Sequence, residues 1–240
     1  MKLDRTFIEG FDDVLGGGVP HGSLVLLVGA PGTMKSSVAY AILHGNAQRG
    51  HRGLYVSFEQ SRESLAHHVQ GLGMDPAGRS DGLSLLDLGL LRKRIASAGA
   101  GAWLDLFTMY TASIKAGFDY EFLVLDSLDA LRILARFQNP RLGLFKLFRW
   151  LRGLGVTAFL VSELPTEWPA APGGPAFEWY AKYKEDYLAD GIVHLKLARQ
   201  GDFGVRRQVR VVKMRGVRHS TDYHALVFVD GGFRVTRILG

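Results

Sequence analysis

Gly29-Ala30-Pro31-Gly32-Thr33-Met34-Lys35-Ser36 places glycines, a lysine and a hydroxyl close to the spacing of a phosphate-binding loop, Gly-x-x-x-x-Gly-Lys-[Ser/Thr]. Backbone N–H groups of such a turn converge on one concavity, and the helix that follows adds its positive end. Lys35 is placed to reach terminal phosphates and the Ser36 hydroxyl to coordinate Mg²⁺, with Ser37 carrying the loop into the helix. One position departs from the pattern, because Met34 stands where the last glycine is usual. A Cβ there leads us to expect a negative φ and a side chain turned away from the phosphates. Two further acids end apolar runs. Phe122-Leu-Val-Leu-Asp126 closes on a carboxylate suited to hold the Mg²⁺ shell through water, and Leu54 to Gln60 carries Glu59, the candidate general base.

These residues need a scaffold that brings several strand ends to one edge. Leu24–Gly29, Leu54–Glu59, Leu83–Leu88, Phe122–Asp126 and Val156–Ser162 are short apolar runs of the kind buried on both faces of a parallel sheet. Ser36–Arg49, Ser61–Leu72, Trp103–Gly117 and Pro140–Gly153 have helical patterning between them, so the chain reads as α/β. His67 and His68 fall on the second of these helices without a third ligand and read as solvated; Asp12 and Asp13 read as a turn or helix start. After Ser162 the pattern changes to a long Pro- and Gly-interrupted segment, 163–190. Strand-like runs follow at Ile192–Ala198, Val205–Lys213, Leu226–Val229 and Phe233–Thr236, expected as antiparallel hairpins. With no internal repeat, one domain over 1–240 is expected, with a lead-in at 1–22 and a hairpin extension at 191–240.

Composition narrows the function classes. The absence of cysteine removes disulfides, thiolate metal sites and thiol nucleophiles. No apolar run approaches the ~18 residues of a membrane span, and acids near the start argue against a signal peptide, so a cytoplasmic protein is expected. The net charge of +6 is uneven, since residues 191–240 hold ten Lys and Arg against three Asp and Glu. Basic strands of this kind serve either as a solvated face or as a contact for a polyanion.

Taken in order, these motifs resemble the RecA-like P-loop ATPases of the KaiC type, over nearly the whole chain. The Gly29–Ser36 loop is then the Walker A motif, Gly10 to Gly22 resembles that family's lead-in, and Phe58-Glu59 resembles its Phe-Glu-Glu motif. Lys213-Met-Arg-Gly216 resembles its Lys-x-Arg-Gly motif. The resemblance implies a RecA-like core with a mainly parallel sheet, flanking helices and C-terminal hairpins. It also implies ATP and Mg²⁺ at Gly29–Ser37, and a homo-oligomeric ring, expected to be a hexamer. In that ring Lys213 and Arg215 reach the neighbouring subunit's nucleotide; period-2 geometry puts the two on one face of their strand. Two departures matter: Gln60 replaces the second acid, and Leu128–Gly155 contains neither Ser nor Thr, so circadian autokinase activity is not implied.

Three functions compete on this reading: a regulatory ATPase hydrolysing ATP at subunit interfaces, a low-turnover nucleotide-dependent scaffold, and a DNA-processing ATPase. Segment 163–190 carries six acids and two lysines and would repel nucleic acid, which therefore is not the favoured partner. Its aromatics Trp168, Phe177, Trp179, Tyr180, Tyr183 and Tyr187 either pack the segment onto the domain or present it to a protein partner.

Overall fold

The computed structural model describes residues 1–74, 82–88, 102–164, 180–201 and 204–238. In chain order these form β1 (Leu3–Asp4), α1 (Phe11–Val14), β2 (Val19–Pro20), β3 (Leu24–Gly29), α2 (Lys35–Ala47), β4 (Gly53–Ser57), α3 (Arg62–Gly71), β5 (Leu83–Asp87) and α4 (Ala102–Phe118). Then come β6 (Phe122–Asp126), α5 (Leu128–Ala135), α6 (Pro140–Gly153), β7 (Thr157–Glu163), α7 (Glu185–Leu188), β8 (Gly191–Gln200), β9 (Gly204–Met214), β10 (His224–Val229) and β11 (Gly232–Arg237).

Nine strands make one sheet in the order β11-β10-β9-β8-β3-β7-β6-β4-β5. The six strands from β8 to β5 run parallel, and β9, β10 and β11 continue antiparallel. Alternation explains why both faces are apolar: in β3, Val25 and Leu27 enter a core with α2 and α3, whereas Leu24, Leu26 and Val28 enter the one with α4, α5 and α6. Asn139 caps α6 by accepting from the Leu142 N–H, with Pro140 at the first helical position where its missing N–H costs nothing.

The antiparallel expectation for Ile192–Ala198 holds on one side of the strand and is incomplete on the other. β8 pairs in parallel with β3 on one side, Gly191–Leu195 beside Val25–Gly29, and antiparallel with β9 on the other. Its apolar first half, Gly191–Leu195, is buried, and its polar second half runs on past the end of β3.

The lead-in is clasped by the C-terminal hairpin. Gly10 has φ +74°, and a Cβ there would stand 2.2 Å from the Val235 carbonyl oxygen; Gly16, at φ +73°, would meet the Arg218 carbonyl at 1.9 Å. Glycine is required at both positions by conformation and by contact. Ile8, Phe11, Val14, Leu15 and Val19 thereby reach the core shared with α2, and Asp12 and Asp13 lie in α1, the expected helix start.

Candidate functional site

The parallel strands bring β3, β4, β6 and β7 to one edge, and the site is built from the residues at their C-terminal ends. Gly29 ends β3 because β8 passes close by: a Cβ would lie 2.3 Å from the Leu195 carbonyl oxygen. Gly32 turns the loop at φ +80°. Thr33 is fully buried and donates its hydroxyl to the Ala30 carbonyl at 2.8 Å, and Pro31 stiffens the exposed bend between them.

Met34 corrects the expectation of a negative φ. It takes φ +69° and ψ +30°, the left-handed geometry a glycine would hold, and its partly buried side chain packs on the core beside α2. The loop keeps its shape and the backbone bears the Cβ. Met34 makes no side-chain cap to α2, so the first-turn N–H groups of this thirteen-residue helix face the loop.

Lys35 donates to the carbonyls of Gly29 at 2.8 Å and Ala30 at 3.1 Å. Burial lowers its pKa, against the opposing pull of Glu163, Asp126, Asp129 and Glu59. Those four acids mark the mouth of the loop. Asp126 accepts from the Tyr55 hydroxyl at 2.5 Å and from Ser36; its burial pushes the carboxyl up while both hydrogen bonds pull it down. Ser36 and Asp126 therefore turn oxygen donors to the same spot beside the open helix end. That donor set fits Mg²⁺, which takes few protein carboxylates and completes its shell with water and phosphate oxygens. Among the described residues no three His, Cys, Asp or Glu side chains form an all-protein metal cage.

Glu59 lies just past β4, exposed, and accepts from the Ser127 hydroxyl at 2.5 Å. Ser57 fixes this turn by accepting from the Gln60 N–H at 3.0 Å and donating to the Gln60 carbonyl at 2.8 Å. Ser127 also caps α5, accepting from the Ala130 N–H. Asp129, in the first turn of α5, pairs with Arg132 and accepts from Ser162 and the Glu163 N–H, which ties β7 to the cluster. His68 is exposed, as expected, and its Nε2 also lies 3.1 Å from the hydroxyl of buried Ser37.

Lys213 and Arg215 are not brought to this loop within the subunit. Lys213 pairs across from Ile192, near the start of β8, so the two cations lie at the opposite edge of the sheet from Gly29. There they converge on the end of α7, although β9 ends at Met214 and Arg215 lies in the turn beyond it rather than on the strand. Lys213 donates to the Asp186 and Ala189 carbonyls, Arg215 to the Tyr187 carbonyl and Asp190, and Arg152 to the Leu188 carbonyl and Asp190. Burial and the Arg215 charge lower the Lys213 pKa. The Arg215 side chain keeps 55% of its surface exposed.

Sequence reasoning gave no role to Tyr55, Ser127, Asp129, Glu163 or Arg207, whose Nε donates to the Gly32 carbonyl at 3.2 Å, and read His68 only as solvated. Glu163 had a signal, as a third acid at the end of an apolar strand. Tyr55 had none, since an aromatic in a buried strand reads as core. In segment 163–190, Tyr180 is buried and Tyr183 half-buried, as packing requires, while Tyr187 is exposed. Trp168, Phe177 and Trp179 lie outside the described residues.

A family model described as the KaiC ATPase matches residues 5–239. The chain is 29% identical over 240 residues to a UPF0273 protein of Pyrobaculum aerophilum, covering 96% of this chain and 81% of that one. It is 27% identical over 254 residues to the circadian clock oscillator protein KaiC of Rippkaea orientalis, covering 98% of this chain and 44% of that protein. The crystal structure of a KaiC-like protein from the hyperthermophilic archaeon Pyrococcus horikoshii superposes with a TM-score of 0.79 at 25% identity, covering 98% of each chain.

Proposed function

The chain belongs to the KaiC ATPase family, and from that premise we propose that it binds ATP with Mg²⁺ at Gly29–Ser37 and hydrolyses it as a single-domain regulatory ATPase of the cytoplasm. The observation that carries this reading is the meeting of Lys35, Ser36, Asp126 and Glu59 at one sheet edge, in front of the uncapped end of α2. Backbone N–H groups of the loop and of the first turn of α2 hold phosphate oxygens, and Lys35 exchanges its carbonyl partners for the terminal phosphates. Ser36 and Asp126 hold Mg²⁺, which supplies neutralisation of phosphate charge. Glu59 accepts a proton from the attacking water, with Ser127 fixing the carboxylate.

Lys213 and Arg215 complete the site in trans, in a ring proposed to be a hexamer with nucleotide between subunits. Their distance from Gly29 within the subunit and the exposure of Arg215 support this placement. The acidic segment 163–190 is proposed to meet a protein partner through exposed Tyr187 rather than nucleic acid.

Calorimetry and single-turnover phosphate release test the reading together. Lys35→Ala is expected to lose most ATP affinity. Glu59→Gln is expected to bind ATP normally and to hydrolyse it at least ~10²-fold more slowly. A scaffold of low turnover is the second reading, favoured by Gln60 in place of the second acid; tight ATP binding without phosphate release in the wild type would establish it.

A further inference from the structure

We propose that His68 is a positioning residue for hydrolysis: its contact with Ser37 fixes where α3, and with it the Glu59 turn, stands over the phosphate loop. This rests on the reading of Glu59 as the base. The observation is the 3.1 Å approach of the imidazole Nε2 to the Ser37 hydroxyl, which joins the last turn of α3 to the first turn of the phosphate-binding helix.

Three features make this contact consequential. First, Ser37 is 3% exposed, so its hydroxyl has little access to water and takes the imidazole as its partner. The contact uses the Ser37 side chain alone, so it takes no backbone N–H of α2 away from the loop. Second, α3 buries only Leu65 and Val69 of its ten residues. These side chains, with Leu72 and Met74 just past the helix, seat it on the core but set its tilt poorly, because apolar contact is not directional. A hydrogen bond near the far end supplies the missing direction. Third, α3 begins at Arg62, three positions after Glu59, and Ser61 caps it by accepting from the Ser64 N–H at 3.2 Å. A rigid helix carries a tilt at His68 back to the turn that holds Glu59. Ser127 holds the carboxylate from the other side, at 2.5 Å. The base is thus held between α5 and a helix whose angle depends on the phosphate-binding helix itself.

The ring nitrogen acts through geometry, so a side chain of similar reach should replace it. Glutamine places an amide group near the position of Nε2, whereas alanine removes the contact and keeps high helix propensity, so His68→Ala remains folded. Loss of one hydrogen bond corresponds to a factor of about 3 to 10. In the full-length protein, His68→Ala is expected to lower the single-turnover rate by about that factor, with ATP affinity by calorimetry changed less than about twofold. His68→Gln should recover most of the rate. Hydrogen exchange of Arg62–Gly71 should quicken by a similar factor in His68→Ala and in Ser37→Ala, and no further in the double variant.

Unchanged exchange across α3 in His68→Ala would overturn the proposal. So would faster exchange with an unchanged hydrolysis rate, or an affinity loss larger than the rate loss, which would make His68 a ligand contact. Failure of the base reading shows separately: Glu59→Gln would then retain turnover, or the wild type would have none, whatever α3 does.

Discussion

Tyr55 donates its hydroxyl hydrogen to Asp126 at 2.5 Å across two parallel strands. Ser57 stands opposite Asp126 in the register, so the tyrosine reaches forward two residues from a fully buried position on β4. Burial, reinforced by the Asp126 charge, pushes the Tyr55 hydroxyl well above its ordinary pKa, so it remains a donor at every working pH. Burial also raises Asp126, which means that ionising it costs folding stability. The cost is absent below the peptide value of about 3.9 and grows as pH rises through the window up to the folded-state value. Asp126→Asn keeps an acceptor for Tyr55 and removes the buried charge. It should melt higher than the wild type at neutral pH without ligand and lose Mg²⁺-dependent hydrolysis by about 10²-fold or more. Calorimetric melting and phosphate release check the two halves; a lower melting temperature would contradict the account.

Asp190 has the opposite sign. Its burial pushes the carboxyl up, but Arg152, the Leu24 N–H and Arg215 together hold it below the ordinary aspartate value. The stability this gives is fully present above about pH 3.9 and is lost as pH falls through the lower folded-state value. Asp190→Asn should cost about 1 to 3 kcal/mol at neutral pH, with the two melting curves converging in strong acid. A constant gap at all pH values would show that the charge is not the source.

Met34 bears a Cβ in left-handed backbone, a conformation that disfavours ordinary residues by roughly 1 to 2 kcal/mol. Met34→Gly relieves that cost and gives up side-chain packing, so its stability is expected within about 1 kcal/mol of the wild type. Met34→Val, branched at Cβ, should be destabilised by about 2 kcal/mol or more. Denaturant melts decide; equal stability of the valine and glycine variants would mean that the loop does not hold this geometry in solution.

The separation of Lys35 from Arg215 across the sheet makes the trans assignment testable by mixing. Lys35→Ala and Arg215→Ala subunits, each inactive alone, leave about a quarter of randomly formed interfaces with both intact groups. Hydrolysis should return to about that fraction of the wild-type rate after mixing. Additive, inactive behaviour with a strictly monomeric protein would remove Arg215 from the site.

Much of this arrangement was legible because strands buried on both faces are continuous apolar runs. Phe122–Asp126 and Pro140–Gly153 coincide with β6 and α6, and Leu24–Gly29 with β3. The double pairing of β8 was not legible, since a strand that is parallel on one side and antiparallel on the other has no periodicity of its own. Helix α5 does carry a face, with Leu128, Leu131 and Ala135 buried at helical spacing, but it is only eight residues long and was not legible between β6 and α6. At the site, the loop and the strand-end acids carry local signatures. Tyr55 and His68 do not, because their roles depend on partners 71 and 31 positions away.

The clasp between the two ends of the chain also bears on the order of folding. Glu9 and Arg234 are joined across 225 positions, at 2.7 Å, and Gly10 and Gly16 press against backbone from the last strand and the turn before the hairpin. The lead-in is made before β10 and β11, and the cover that β11 gives α1 forms only once those strands exist. Contacts of such separation are slow to form. Until β10 and β11 emerge, α1 therefore lacks the cover that β11 gives it, and that side of the core beside α2 stays open.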